Sequence, residues 1–361
     1  MIIANKKTIA QHPVLADHFK REMAQRMEFN ARQQALAEQS VFDAETAAIN
    51  RALVLDKQGW LEIDRTTAEY AENTRGTELY RALQSLATPL PLGKTVKTWN
   101  NVGTIHNEVK VSMDGQSPFG FDHTSYAHDA DPIPMFTAGF GVNWRHELGN
   151  RTDGIALLRD SQTAKLEVFM SAVAQYALTG SDRISEAGFK GQGLKNHRNT
   201  EKVDLGASGA NIDLTTAAQA DVMKFFAEVF EGVMFDNNTT GVDLWVSKEI
   251  YANLRNDFTG LNVDKTILQR VLEKHPMINS IQVAYESDVP GFTTGLTGNE
   301  MIAYVNSKSF LELPTGQAIQ VVPVPRLELR ANFNMDISCA YGVQVKRRGA
   351  NSGVFYFAEL V

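Results

Sequence analysis

Cysteine is almost absent from the sequence: among 361 residues only Cys339 carries a thiol. An intrachain disulfide needs two cysteines and a cysteine-rich zinc site needs several, so both are excluded. Cys339 falls in phase with the apolar positions of a predicted strand, which favours a small core side chain. The alternative is a reactive thiol.

Long apolar runs are also missing. No stretch reaches the roughly 18 consecutive apolar residues of a membrane-spanning helix. No apolar stretch of signal-peptide length follows Lys6 and Lys7 near the N-terminus. We therefore expect neither membrane insertion nor export.

Basic residues are outnumbered, with 35 Lys and Arg against 42 Asp and Glu, which gives a net charge of −7. This balance argues against a protein whose main role is to bind nucleic acid through a basic face. The content of 43% hydrophobic and 21% charged residues is that of a folded globular protein and excludes a mostly disordered chain. The length predicts about two domains.

Residues 12–57 favour helix because Ala, Gln, Glu, Arg and Met dominate them. Opposite charges nearly cancel there, and a polar helical arm has little of its own to bury. The arm either packs on a neighbouring subunit or is a frayed N-terminal extension.

Residues 94–146 are predicted to form an extended two-stranded ribbon. Two prolines within residues 88–94 interrupt helix, after which apolar and polar residues alternate at 109–113 and again at 140–144. Asp114-Gly115 supplies a turn. Because an isolated two-stranded ribbon is marginal in water, it too is expected to lie on another surface.

A long helix is predicted from an N-cap at Asp153 to a C-terminal glycine at Gly180. Its apolar residues follow the helical period and form one stripe, which consists of Leu166, Phe169, Met170, Val173, Tyr176 and Ala177.

Residues 211–304 read as a compact α/β unit. Thr216 with Gln219 is predicted to cap its first helix, Ser247 links a strand at 242–246 to the next helix, and Asp264 is predicted to cap a third.

The apolar residues alternate again at odd positions from Phe333 to Val345, which predicts a long half-buried strand. We expect this strand to pack against the long helix and to form a discontinuous domain around the 211–304 insertion.

No catalytic motif for phosphate binding, a nucleophile elbow or a zinc protease occurs in the sequence. One cluster has the side chains of a divalent-metal site, and its members are Asp122, His123, His128, Asp129 and Asp131. The alternative is an exposed polar loop, since Asp favours turns.

The basic run Lys346-Arg347-Arg348 is either a solvated strand end or a contact to nucleic acid or to carboxylates of a neighbour. Trp99 and Trp144 fall in the predicted ribbon, where they either anchor an interface or pack locally.

The order of these parts resembles the major capsid protein of tailed bacteriophages, the HK97-type shell fold. The order is a helical arm, a long two-stranded loop, a long helix, an inserted α/β domain and a returning strand. The segments that carry the likeness are PLPLGK (89–94), VKVSMDG (109–115), DPIPMF (131–136), GVNWR (141–145), LTG (178–180) and GLKN (193–196).

The resemblance implies an α+β fold of four named parts. They are an N-terminal arm (1–88), an extended E-loop (89–146), a discontinuous P-domain with a long spine helix (147–205 and 312–361) and an inserted α/β A-domain (206–311). It implies no enzymatic activity and no cofactor. The roughly ninety residues before the E-loop are too few for the large cleaved scaffolding segment of some family members, and no Lys–Asn crosslink pair can be assigned.

The resemblance also implies self-assembly into the hexamers and pentamers of an icosahedral virion shell, which encloses double-stranded DNA without sequence-specific binding. The implied partners are copies of the chain and the portal, scaffolding and decoration proteins, with synthesis in the cytoplasm of a host bacterium. We predict subunit contacts at Trp99, Asp114, Phe119, Phe121, Trp144 and Arg145.

Two other functions are compatible with the sequence. One is the shell of an encapsulin-type cellular compartment, which has the same fold. The other is a metal-dependent enzyme that uses the Asp122–Asp131 cluster.

Overall fold

The structure, a computed structural model, describes residues 13–39, 57–102, 126–146, 157–239, 241–258, 265–328 and 330–360. The predicted strand at 109–113, the turn Asp114-Gly115 and the predicted caps Asp153 and Asp264 lie outside these residues.

The described helices lie mostly in the first three quarters of the chain. They are α1 (Pro13–Gln39), α2 (Lys57–Asn73), α3 (Glu78–Leu83), α4 (Leu157–Thr179), α5 (Gln219–Phe225), α6 (Glu231–Asp236), α7 (Lys248–Leu254) and α8 (Ile267–Lys274). A short 3₁₀ helix (Gln84–Leu86) follows α3, and a π-helical turn (Phe226–Phe230) joins α5 to α6.

The strands before the inserted unit are β1 (Ala87–Pro89), β2 (Val96–Val102), β3 (Tyr126–Pro132), β4 (Met135–Val142), β5 (Gly180–Glu186), β6 (Phe189–Gln192) and β7 (Glu201–Asp204). Those that follow are β8 (Val242–Val246), β9 (Ile278–Val283), β10 (Met301–Tyr304), β11 (Leu311–Pro323), β12 (Phe333–Tyr341), β13 (Gln344–Val345) and β14 (Val354–Ala358).

Two five-stranded sheets organise the described chain. The first has the order β1-β11-β12-β4, with β13 also paired to β11. The second has the order β7-β14-β10-β8-β9. Two further pairs, β2 with β3 and β5 with β6, are antiparallel ribbons.

Helix α4 packs on the first sheet, as the sequence predicts. Every residue of the predicted stripe on this helix is buried. Tyr341 of β12 donates a hydrogen bond from its hydroxyl to the backbone carbonyl of Val173 and stacks on Phe136 of β4, with ring centroids 5.0 Å apart. The predicted alternation is confirmed for Phe333 to Ile337 of β12, where the odd positions are buried and the even ones are not. From Ile337 to Tyr341 every residue is buried, and the strand ends at Tyr341 before the separate strand β13.

Cys339 belongs to this core. It is buried, and burial raises the pKa of its thiol. A thiol with a raised pKa is protonated and unreactive at neutral pH, so the packing interpretation fits the structure.

The second sheet contains two strands from segments that the sequence assigned to the P-domain, which are β7 at the end of 147–205 and β14 at the end of 312–361. Strand β14 pairs with β10 and β7 rather than with β12, so the end of the predicted 312–361 segment lies in the sheet of the inserted unit. Its residues are buried on both faces, and a strand of this kind shows no alternation that would reveal its sheet. The four domain boundaries stay predictions.

Two predicted helix caps are wrong in detail. The hydroxyl of Thr216 donates to Asp213, and α5 begins after Ala218 without a side-chain cap. Thr266 caps α8 through a capping box with Gln269, in place of Asp264. The Ser247 link is confirmed, because its hydroxyl oxygen accepts a hydrogen bond from the Ile250 backbone N–H at the start of α7.

Part of the helical arm packs on its own chain, which the sequence did not predict. Phe29 of α1 meets Trp60 of α2 with ring centroids 6.2 Å apart. Arg26 lies over the same Trp60 ring and binds Asp64 at 2.8 Å. The expectation that the arm has little to bury alone is therefore wrong for these residues.

No described helix has the length and apolar content that a membrane span requires.

The end of α4 yields a prediction about Gly180. Its φ is +72°, and an added Cβ would lie 2.4 Å from the Gly191 carbonyl oxygen and 2.5 Å from the Gly193 nitrogen. An alanine at this position would be strained by the left-handed backbone conformation, and its Cβ would clash with neighbouring backbone atoms. We therefore expect Gly180→Ala to lower the free energy of unfolding by about 3 kcal/mol. Denaturant unfolding measures this loss.

Gly188 is the matched control, since its φ is +86° but nothing lies within 4 Å of an added Cβ. Gly188→Ala should cost only about 1 kcal/mol. Equal losses for the two variants would contradict the close approach of β5 and β6 at Gly180.

Candidate subunit interface

The predicted ribbon over residues 94–146 is wrong for its strand at 140–144, because residues 140–142 belong to β4, which pairs with β12 of the first sheet. Alternation indicates a half-buried strand but does not identify its partner. The observed ribbon consists of β2, which carries the contact candidate Trp99, and β3. The two strands pair without interruption from Val96 opposite Pro132 to Val102 opposite Tyr126. Residues 103–125, which join the paired ends, lie outside the described part of the chain, and so do the contact candidates Asp114, Phe119 and Phe121.

The root of the ribbon is attached to its own chain by backbone and amide hydrogen bonds. The Asn101 side chain both donates to the Gly349 carbonyl oxygen (3.2 Å) and accepts from the Gly349 N–H (3.0 Å). Gln344 donates to the Lys97 carbonyl oxygen at 2.9 Å. The described root is thus held on the β13 region, while the expectation that the ribbon also lies on another surface stays a prediction.

An ionic contact reinforces this attachment. The carboxylate of Glu312 on β11 accepts hydrogen bonds from the ammonium groups of Lys97 on β2 and Lys346 after β13. The Glu312 side chain is 7% exposed. Burial by itself would raise the pKa of Glu312, but the two lysines overcome that effect and lower it to about 2. A carboxylate shared by two cations therefore joins the ribbon to the first sheet.

A second group of charges holds the other strand of the ribbon. The guanidinium of Arg198 binds Asp129 at 2.5 Å and Asp131 at 2.7 Å. His197 places its Nε2 atom 3.1 Å from the buried Asp131, and Asn199 donates to Asp129 at 3.1 Å. Hydrogen bonds from Arg198 and Asn199 lower the pKa of Asp129 against the opposing effect of burial.

These contacts bear on the hypothesis of a metal site. Asp122 and His123 lie outside the described residues, and His128 places its Nδ1 atom 2.7 Å from the Asn100 side-chain oxygen. Asp129 and Asp131 face a guanidinium, which already supplies a positive charge. In the described ranges no three His, Cys, Asp or Glu side chains are grouped to hold a metal ion.

The remaining contact candidates lie on different elements. Trp99 on β2 is half-buried, and its indole N–H is buried without a hydrogen-bond partner among the described residues. Trp144 is half-buried beneath Arg330, whose guanidinium carbon lies 5.6 Å from the ring centroid, and Arg145 is exposed. Trp99 therefore lies on the ribbon, whereas Trp144 and Arg145 follow β4 of the first sheet.

Sequence reasoning missed an exposed apolar stripe on α1. Phe19 and Met23 are about two-fifths exposed and Met27 is 69% exposed. These residues recur every four positions and so share one helix face. The four-residue spacing could have been read from the sequence, but polar residues dominate this helix and no apolar face was assigned to it. Leu327, in the loop between β11 and β12, is 79% exposed.

Comparison with known proteins places the chain in a family and identifies its fold. The family described as "Family of unknown function (DUF6260)" matches residues 47–357. No curated protein matches the sequence.

Solved structures with this fold are similar over most of their length. The capsid of Myoviridae phage XM1 has a TM-score of 0.60 at 12% identity, over 80% of this chain and 93% of that one. A virus-like particle from Pyrococcus furiosus has a TM-score of 0.54 at 13% identity, over 83% of this chain and 99% of that one. A structure from Mycobacterium phage Adephagia has a TM-score of 0.51 at 12% identity, over 78% of this chain and 90% of that one. The fold is therefore the HK97-type fold that the sequence predicted.

The Glu312 contact predicts a pH-dependent stability. A carboxyl whose pKa is depressed in the folded state stabilises it above the unfolded pKa of 4.5, and this contribution is lost as the pH falls towards 2. We expect Glu312→Gln to lower the free energy of unfolding by about 2 kcal/mol at pH 6, allowing for solvent screening of the lysines. The difference should shrink below pH 4.5 in urea unfolding.

Glu72→Gln is the control, because Glu72 is exposed on α2 and forms no ion pair within the described residues. Its unfolding curve should follow that of the unmodified protein at every pH. A Glu312→Gln deficit that stays constant from pH 6 to 3 would contradict the ionic attachment.

Proposed function

The chain belongs to the DUF6260 family of unknown function, and from its fold we propose that it is a shell subunit, the major capsid protein of a tailed bacteriophage. The observation that carries the proposal is the similarity to the capsid of phage XM1 over 80% of this chain and 93% of that one. The shared fold thus includes nearly all of a capsid subunit.

Two features of the structure support assembly with identical copies. The ribbon is anchored only at its root in the described residues, through Lys97, Asn101 and Asp129. The stripe of Phe19, Met23 and Met27 leaves apolar surface exposed to water. Both features gain stability when a neighbouring subunit covers them.

In this proposal the subunits form the hexamers and pentamers of an icosahedral virion shell that encloses double-stranded DNA. Residues 1–88 and 89–146 act as arm and E-loop, 147–205 with 312–361 as P-domain and 206–311 as A-domain. Trp99, Asp114, Phe119, Phe121, Trp144 and Arg145 contact neighbouring subunits. Portal, scaffolding and decoration proteins are the expected partners, and the role is structural rather than enzymatic.

A second candidate is the shell of a cellular compartment of the encapsulin type. The observation that favours it is the similarity to the virus-like particle of Pyrococcus furiosus, of which 99% is covered. The two candidates share the subunit fold and differ in the contents of the shell.

Assembly is tested by removing the tip of the ribbon. Val102 and Tyr126 are directly paired, so a two-residue Asn-Gly turn can replace residues 103–125 and close the ribbon as a hairpin. We expect the unmodified chain to form closed particles under the electron microscope. The shortened chain should keep its unfolding transition but form no particles, because it lacks the overlap with its neighbours.

A Gly/Ser segment of the same length in place of 103–125 is the control for chain length, and it should also fail to assemble. An unmodified chain that stays monomeric under all assembly conditions would contradict the proposed function. Normal particles from the shortened chain would contradict the role of the ribbon.

The contents of the shell separate the two candidates. Particles purified from the cells that produce them should contain nuclease-protected double-stranded DNA if the protein is a viral capsid protein. Co-purified protein cargo without protected DNA would instead support the cellular compartment.

A further inference from the structure

A segment that we call the basic turn, residues 346–351, begins with Lys346, Arg347 and Arg348 and lies at one side of the second sheet. Arg348 and Asn351 close this turn through two backbone hydrogen bonds of 3.1 Å, and Gly349 inside it has a φ of +63°. Arg347 donates from its Nε atom to the Asn199 carbonyl oxygen (3.4 Å), which places the turn beside the start of β7. The turn thus has a fixed position on the subunit.

This turn carries an uncompensated positive charge. Lys97 and Lys346 share one carboxylate, that of Glu312, so one of these two charges is not neutralised. Lys308, whose ammonium group donates to the Ala87 carbonyl oxygen, adds another. Across the described part of the chain no carboxylate lies within ion-pair distance of Lys308, Arg347 or Arg348. The local charge opposes the overall charge of −7.

A cleft of opposite charge lies between α2, α4 and the segment after β9. It has a volume of about 360 Å³, and its lining includes the carboxylates of Glu69, Glu167 and Asp288. Arg75 is its only basic lining residue within the described chain, and it pairs with Asp288 at 3.2 Å. Glu69 and Glu167 are exposed and have no ion-pair partner in the described ranges.

The sheet topology separates the basic turn from the acidic cleft. The turn lies beside β7, the outer strand on one side of the second sheet, whereas Asp288 follows β9, the outer strand on the other side. Four strand spacings of about 4.8 Å put the two outer strands roughly 19 Å apart. The two charged surfaces therefore lie beside different outer strands of the second sheet.

We propose that the basic turn of one copy docks against the acidic cleft of the next copy, through Arg347 and Arg348 facing Glu69 and Glu167. This inference rests on the proposed shell function. A second copy is the occupant that the structure favours, because each chain supplies both members of the pair. Two different surfaces on one subunit give head-to-tail contacts, which form closed rings where the rotation between neighbouring copies closes.

Charge reversal tests this contact. The first variant carries Arg347→Glu with Arg348→Glu, the second carries Glu69→Lys with Glu167→Lys, and the third combines all four substitutions. We expect each of the first two to reduce the assembled fraction of subunits at least tenfold, since like charges then face each other at every contact. The combined variant restores attraction and should recover at least half of the assembled fraction.

The measurement is the assembled fraction by sedimentation and electron microscopy, with thermal unfolding to verify the fold. Lys224→Glu with Lys248→Glu changes the net charge by the same −4 as the first variant, at exposed side chains away from both surfaces. This control should assemble normally. Salt should weaken the defect of the reversed variants, because it screens exposed charges.

Each outcome decides between the inference and the function on which it rests. Failure of the unmodified chain to assemble contradicts the proposed function. Normal assembly of either reversed variant, no recovery in the combined variant, or equal failure of the lysine control overturns this contact and leaves the shell function standing. Normal assembly of the arginine variant with weaker DNA binding would identify the turn as a nucleic-acid contact instead.

Discussion

The packing of helix α4 on the first sheet is the contact on which the rest of the structure depends. Leu166, Met170 and Val173 are fully buried on the helix. Tyr341 joins the sheet to the helix through an edge-to-face contact with the Tyr176 ring and a hydrogen bond to the Val173 carbonyl oxygen. A helix of 23 residues is about 35 Å long, so it gives the subunit a rigid axis. The first sheet and the second sheet are both positioned relative to this axis, because residues of each belong to the same buried cluster as the helix.

The ribbon shows how such an axis supports a thin appendage. Two strands alone bury too little apolar surface to be stable. The described root compensates with polar contacts: a carboxylate shared by Lys97 and Lys346, and a guanidinium shared by Asp129 and Asp131. Charge-assisted hydrogen bonds of this kind are directional, so they set the angle at which the ribbon leaves the subunit. A ribbon held in a fixed orientation is suited to a repeated contact with a neighbour.

The sequence was informative where one face of an element is buried and uninformative where both are. The stripe from Leu166 to Ala177 and the alternation of β12 each have a period that indicates the element and its buried face. Strand β14 is buried throughout, so its pattern gives no clue to its partners β7 and β10. The ion pairs of Asp129 and Asp131 were missed for a related reason. Arg198 lies more than sixty residues away in the chain, and only the fold brings these charges together.

The charge distribution also fits a chain built for repeated contacts. A single exposed ion pair contributes at most about 1 kcal/mol, too little to hold two proteins together. In a closed ring the same weak pair occurs once per subunit, and losing a subunit breaks two contacts at once. Weak, salt-sensitive contacts allow a wrongly placed subunit to leave, while their number stabilises the finished ring. Strong contacts at the basic turn would prevent this correction. Arg347 and Arg348 have no ion-pair partner within the described residues, which is consistent with that requirement.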